Sequence, residues 1–288
     1  MSEHLTQPGE TGGWPKLKVS YRTDQEKIAS LLPPGLEASG DPIVQINVYC
    51  VPILGEPEYG VSTKVGASFN GVDGLFCVGM GIDQEAAIFI SQELNGQPKF
   101  PCNISFYRIN DYVEAVCEHQ GYTFMEFRGR SIGTATPDGI EVEENEWWIK
   151  SSRQIGGAEG QYDFPPHVVR VHSVSEPVEI EDLAGDLVLR ESPWDPYTEL
   201  LPMREQLSAQ LVRSSHKSRE ITNAGALDPE AFWPFADTIG GSRWPGERGG
   251  PKTGGPSRFL TQAILKVILF FSFHVVHLLS FRRIFQEL

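Results

Sequence analysis

The chain is short of cationic residues for its size: 24 Lys and Arg against 38 Asp and Glu leave a net charge of −14 over 288 residues. That balance excludes attraction to a phosphate backbone as the main activity, because nucleic-acid affinity comes largely from Lys and Arg that neutralise phosphates. No nucleic-acid partner is expected. Cysteine is also scarce, and Cys50, Cys77, Cys102 and Cys117 stand too far apart for a zinc knuckle or a paired-thiol redox motif. No apolar run at the N-terminus reads as a signal peptide, so reduced, buried thiols in a cytoplasmic protein are the expectation. Histidines at metal-ligand spacing are missing as well. None of His4, His119, His167, His172 and His216 has the neighbours a zinc site needs, and His274 and His277 sit in an apolar tail. Neither a metal nor any other cofactor is expected.

What is present is a 40% apolar composition, ample for one core with appendages at the ends. Residues 1–13 read as a flexible lead-in, 14–240 as the folded domain, 241–258 as a Gly- and Pro-rich linker, and 259–288 as an apolar tail. Within the tail, residues 259–281 are long enough to cross a membrane, although Lys266 and two histidines interrupt them. A tail anchor, a partner-docking helix and a segment without a selected role all remain open.

Inside the domain, strand-like runs at 43–51, 65–69, 74–81, 86–92, 113–119 and 123–130 follow one another without long helices between them. Further runs lie at 146–151, 167–175 and 186–190. Parallel pairing would need crossovers of a dozen residues or more, so the spacing predicts a mainly β (α+β) fold, an antiparallel barrel with a few short peripheral helices. A short capped helix is expected over 23–32 and another over 200–213, where Leu207 and Leu211 fall four apart. The acidic run 141–146 reads as a solvated turn, and Trp147 and Trp148 as barrel packing.

Between residues 65 and 149 one lysine stands alone, Lys99, in the frame Pro98-Lys99-Phe100-Pro101. Each proline fixes its own φ and pushes the preceding residue towards extended backbone, so Lys99 rides on a stiff ribbon. A lysine amine attacks a ketone only when neutral, and at a pKa near 10.4 only about one molecule in a few thousand is neutral at pH 7. Desolvation or a neighbouring cation lowers that pKa.

The run SFNGV at 68–72, the spacing through Asp83 to Glu93-Leu94, and Gly96-Gln97-Pro98-Lys99 resemble the core signature of acetoacetate decarboxylases. Tyr21-Arg22-Thr23-Asp24 and the segment Leu32 to Glu37 are similar to that family's N-terminal part. The segment from Leu201-Pro202 to His216 is similar to its late helix and the stretch of chain after that helix. Acetoacetate decarboxylase is itself the familiar case of a lysine activated by a cationic neighbour. The resemblance implies that Lys99 forms an imine with a keto carbon, that the protonated imine acts as an electron sink, and that carbon dioxide leaves.

The resemblance also marks departures. Phe100 replaces the family's second lysine. Asn47 replaces an acidic residue, Gln92 replaces an arginine, and Glu58 is the nearest candidate for a further carboxylate. With Phe69, Glu93 and Arg22, these residues make the expected substrate-binding set around Lys99: Asn47, Phe69, Gln92, Glu93, Phe100 and Arg22. Such a pocket would suit a larger, less polar β-keto acid, for instance a polyketide-derived one from a secondary pathway. Two alternatives stand beside decarboxylation: an aldolase-dehydratase that uses the same lysine on a keto acid, and a non-catalytic small-molecule-binding barrel. A homo-oligomer is expected on the same resemblance.

Overall fold

The computed structural model describes residues 14–53, 56–135, 137 and 139–236. The expected lead-in, linker and apolar tail therefore lie outside the described residues. No helix among the described residues is long and apolar enough to cross a membrane.

Twelve strands among the described residues form one sheet. In chain order they are β1 (Lys16–Arg22), β2 (Leu36–Ala38), β3 (Ile43–Ile53), β4 (Glu56–Phe69), β5 (Val72–Ile82) and β6 (Lys99–Pro101). The second half contributes β7 (Asn103–Ile109), β8 (Tyr112–His119), β9 (Tyr122–Ala135), β10 (Val142–Arg153), β11 (Tyr162–Leu189) and β12 (Glu205–Ala226). The helices are short: α1 (Gln25–Leu31), α2 (Glu85–Asn95), α3 (Tyr197–Leu200) and α4 (Pro229–Phe232).

Seven strands close into a ring in the order β1, β3, β4, β5, β10, β11, β12, with β12 pairing back onto β1. Every seam of the ring is antiparallel except β5–β10, which is parallel. This is the mainly β, barrel-like fold with few short helices that the strand spacing predicts. The 28-residue strand β11 pairs with β10 through residues 162–175 and with β9 through 180–189. It therefore carries the ring into a second layer, β9, β8 and β7. The two runs expected at 167–175 and 186–190 are thus one continuous strand.

Side chains alternate across the ring wall, as strand geometry requires. On β1, Leu17 and Val19 are buried in the larger apolar cluster with Val44, Ile46, Val48, Phe124 and Phe127. A smaller cluster joins Tyr49, Val51, Cys77, Met80, Ile82 and Trp148. Trp147 packs in the larger cluster and Trp148 in the smaller one. The four thiols are unbridged, and all but Cys50 are buried.

Three local expectations are overturned. Residues 86–92 form helix α2 rather than a strand. A short apolar run fits either state, and here a helix that buries Ile88 wins. Residues 205–213 belong to β12 rather than a helix. A spacing of four is also an even number of strand steps, and Ala209 and Leu211 are buried on one face accordingly. The acidic run at 141–146 is not a turn: from Val142 onward it is β10, with Glu146 buried.

Candidate active site

The face of β1 opposite Leu17 and Val19 carries Lys16 and Lys18, and both line a cavity of about 190 Å³ inside the ring. Strand register explains what surrounds them. Lys18 pairs with Asn47, Asn47 with Ser62, Ser62 with Met80, and Met80 with Lys99. Every member of this five-strand row lines the cavity, because residues directly opposite in a sheet point to the same side. The far wall is built the same way. Arg219 pairs with Ser173 and Ser173 with Glu144, while His216 pairs with Ser175 and Ser175 with Val142. All six line the same space.

Lys99 is held by its backbone. Helix α2 ends at Gly96, whose φ of 65° is left-handed and whose N–H donates to the Gln92 carbonyl at 2.9 Å. A Cβ at Gly96 would overlap the Ile149 carbonyl on β10, so only glycine fits both the conformation and the close approach. The chain then enters β6, where Pro98 accepts from the Met80 N–H at 2.9 Å and Gln92 Nε2 donates to the Lys99 carbonyl at 2.6 Å. Gln92 thus anchors the ribbon on which the lysine rides.

The Lys99 ammonium is 3.9 Å from Glu58 Oε2, with both side chains buried. Burial lowers the lysine's pKa, the Glu58 carboxylate opposes that, and the Arg219 guanidinium adds to the lowering. Glu58 is pushed up by burial and held back by Lys99. The pair is therefore a destabilised ammonium beside a carboxyl that is unusually willing to hold a proton.

A second ion cluster sits in the same cavity. Lys64 Nζ lies 2.9 Å from Glu144 Oε1 and 2.5 Å from Glu146 Oε2, and Trp148 Nε1 donates to the other Glu146 oxygen. Although burial works against its charge, the two carboxylates hold the Lys64 pKa well above that of an ordinary lysine. It is locked as an ammonium and cannot act as a nucleophile. Lys16 goes the other way. Burial, then the like charges of Lys18 and Lys64, bring it down to about 8 against the pull of Glu144, and Arg219 lowers it further.

Of the residues expected at the site, the structure brings Lys99 and Asn47 into the cavity, together with Glu58. Asn47 Nδ2 donates to Ser62 Oγ at 3.3 Å. The others lie elsewhere. Phe100 points to the opposite side of β6 from Lys99, is 2% exposed, and packs 4.8 Å from the His119 ring. Phe69 is in the larger core, edge-on to Trp147. Glu93 is exposed on α2, where its carbonyl accepts from Lys150. Arg22 lies at the end of β1, 3.6 Å from Glu205.

The expectation of a less polar pocket therefore fails. Of the residues meant to soften it, Asn47 lines the cavity while Phe100 and Gln92 face elsewhere, and strand alternation brings charged side chains in beside Asn47. Lys16, Lys18, Lys64, Glu144, Glu146 and Arg219 went unrecognised. Four of them carry a legible signal: Lys16 and Lys18 alternate with Leu17 and Val19, and Glu144 and Glu146 are two apart before Trp147, a spacing that marks a strand with a polar inner face.

Comparisons with known proteins agree with this architecture. The family model for acetoacetate decarboxylase matches residues 4–225. A solved acetoacetate decarboxylase superposes with a TM-score of 0.65 at 16% identity, covering 75% of this chain and 88% of its own. An acetoacetate decarboxylase-like enzyme from Sphingomonas wittichii RW1 gives 0.63 at 17%, covering 74% and 92%. The enduracididine biosynthesis enzyme MppR, complexed with the condensation product of pyruvate and imidazole 4-carboxaldehyde, gives 0.56 at 16%, covering 73% and 87%. No curated protein sequence matches. Since the family match runs from before β1, which supplies Lys16, to within the last residues of β12, which supplies Arg219, the chain belongs to the acetoacetate decarboxylase family.

Proposed function

We propose that the protein is a keto-acid lyase that works through an imine on Lys99 and decarboxylates a small, polar β-keto acid. The observation that carries this reading is the buried Lys99 amine, its pKa lowered, facing a polar cavity 3.9 Å from Glu58. The neutral amine attacks the keto carbon, and the carbinolamine loses water with a proton supplied by Glu58. The protonated imine then draws in the electron pair of the bond to the carboxylate, and carbon dioxide departs. Glu58, recharged with a proton from water, passes it to the enamine carbon, and water hydrolyses the resulting imine to free the lysine. The charged lining favours a small polar acid over a larger polyketide-derived one.

A second reading has its own support. A carboxylate beside an imine can also take a proton from the carbon next to it. The resulting enamine can add to an aldehyde, and the condensation product held by MppR is consistent with such chemistry in this fold. Carbon dioxide release from a β-keto acid separates decarboxylation from condensation of a keto acid with an aldehyde. Borohydride trapping tests both at once: with β-keto acids and pyruvate, the added mass should fall on the peptide containing Lys99, and not on the one containing Lys16. A folded protein that yields no adduct with any of these carbonyls leaves the binding-barrel reading in front.

A further inference from the structure

The cavity is charged out of proportion to the protein around it. A chain of net charge −14 places five cationic side chains in one space, Lys16, Lys18, Lys64, Lys99 and Arg219, against three carboxylates. Lys64 and Lys99 sit beside those carboxylates. Lys16 and Lys18 lie two residues apart on the same face of β1. Around the ring, β1 is four strand positions from β6 by way of β3, β4 and β5, which is past halfway. With strands about 4.8 Å apart, a seven-stranded ring sets facing backbones roughly 11 Å apart before strand tilt widens it, so the two β1 lysines look at Lys99 across the interior. A monoacid whose keto carbon is on Lys99 would leave that far wall facing water.

We infer that the natural substrate carries a second carboxylate remote from the keto carbon, a keto diacid of about five or six carbons whose distal end is held by Lys16 and Lys18. The size is set by the volume. A cavity of about 150 Å³ takes benzene, so about 190 Å³ takes a molecule a few heavy atoms larger. The electrostatics favour the same ligand. Lys16 is brought down to about 8 by burial and by Lys18, Lys64 and Arg219, with Glu144 opposing, and an incoming carboxylate relieves that repulsion. Binding at pH 8 then takes up a proton.

The proposal deepens the imine reading and uses it only to fix which end of the substrate meets Lys99, so the test separates the two. Calorimetry on the full chain compares glutarate with butyrate, neither of which can form an imine. Glutarate is expected to bind at least tenfold tighter than butyrate to wild type and to Lys99→Ala, with proton uptake at pH 8. Lys16→Met/Lys18→Met is expected to reduce the difference to less than twofold, and Lys16→Arg/Lys18→Arg to restore the preference. Equal binding of the two acids to wild type, or a preference that survives in the double methionine variant, overturns the inference. Trapping with 3-oxoglutarate and acetoacetate is read separately: adducts with both at equal efficiency, without the glutarate preference, would keep the imine and reject the diacid.

Discussion

Replacing Glu58 by glutamine removes the carboxylate 3.9 Å from Lys99 Nζ while keeping the side chain's size and polarity. Two unit charges at that distance attract by about 4 kcal/mol at an effective dielectric of 20, which corresponds to about three pKa units on the lysine. Solvent screening reduces the effect, so a fall of about one to three units is expected. The sign is fixed by the charges: the carboxylate stabilises the ammonium, so its loss makes the amine neutral at lower pH. The assay is the rate of borohydride-trapped imine formation against pH, whose rising limb tracks the neutral amine. In Glu58→Gln that limb should move to lower pH, while turnover at neutral pH falls because the proton carrier is gone. A limb that moves by less than about 0.3 unit, or that moves upward, would refute the coupling of the two groups.

Gly96→Ala should cost about 1–2 kcal/mol for a left-handed alanine, plus more for the overlap with the Ile149 carbonyl. It should also slow trapping at Lys99; denaturation midpoints and trapping rates measure the two effects. Lys64→Met should destabilise by about 3–5 kcal/mol, because it leaves two neighbouring carboxylates without their ammonium. Adding Glu144→Gln and Glu146→Gln should recover much of that loss in the same denaturation experiment. Glu144 is pushed up by its burial, but Lys64 outweighs this and leaves it below the usual glutamate value. Its contribution to stability is therefore present above the unfolded pKa near 4.5 and lost as pH falls through the folded value; urea midpoints across the acid range should show this slope in wild type and not in Lys64→Met.

Much of the barrel could be read from the chain because its strand-like runs alternate and are punctuated by glycine and asparagine. Lys99 could be read because two prolines isolate it. The residues that were missed share a different physical cause. In this ring one face of several strands is polar and turned inward, so Lys16, Lys18, Glu144 and Glu146 look in isolation like solvated surface. Only the register that sets Lys18 in one row with Lys99, and Glu144 in another with Arg219, shows that they share one space. Gln92 was expected to touch substrate, yet it acts one step back: α2 is a helix, and that turns its amide onto the Lys99 carbonyl.

The ring closes at β5–β10 through two residue pairs, Leu75 with Glu146 and Phe76 with Trp147, where every other seam has seven or more. Across that same seam Lys64 on β4 reaches to Glu144 and Glu146 on β10. The wall with the fewest backbone stitches is thus the one fastened by an ionic clasp. Hydrogen-bonded seams need no ionised group, whereas this clasp holds only while Glu144 keeps its charge beside Lys64. The wall of the cavity is therefore held by charge at one place, while the rest is sewn by backbone hydrogen bonds.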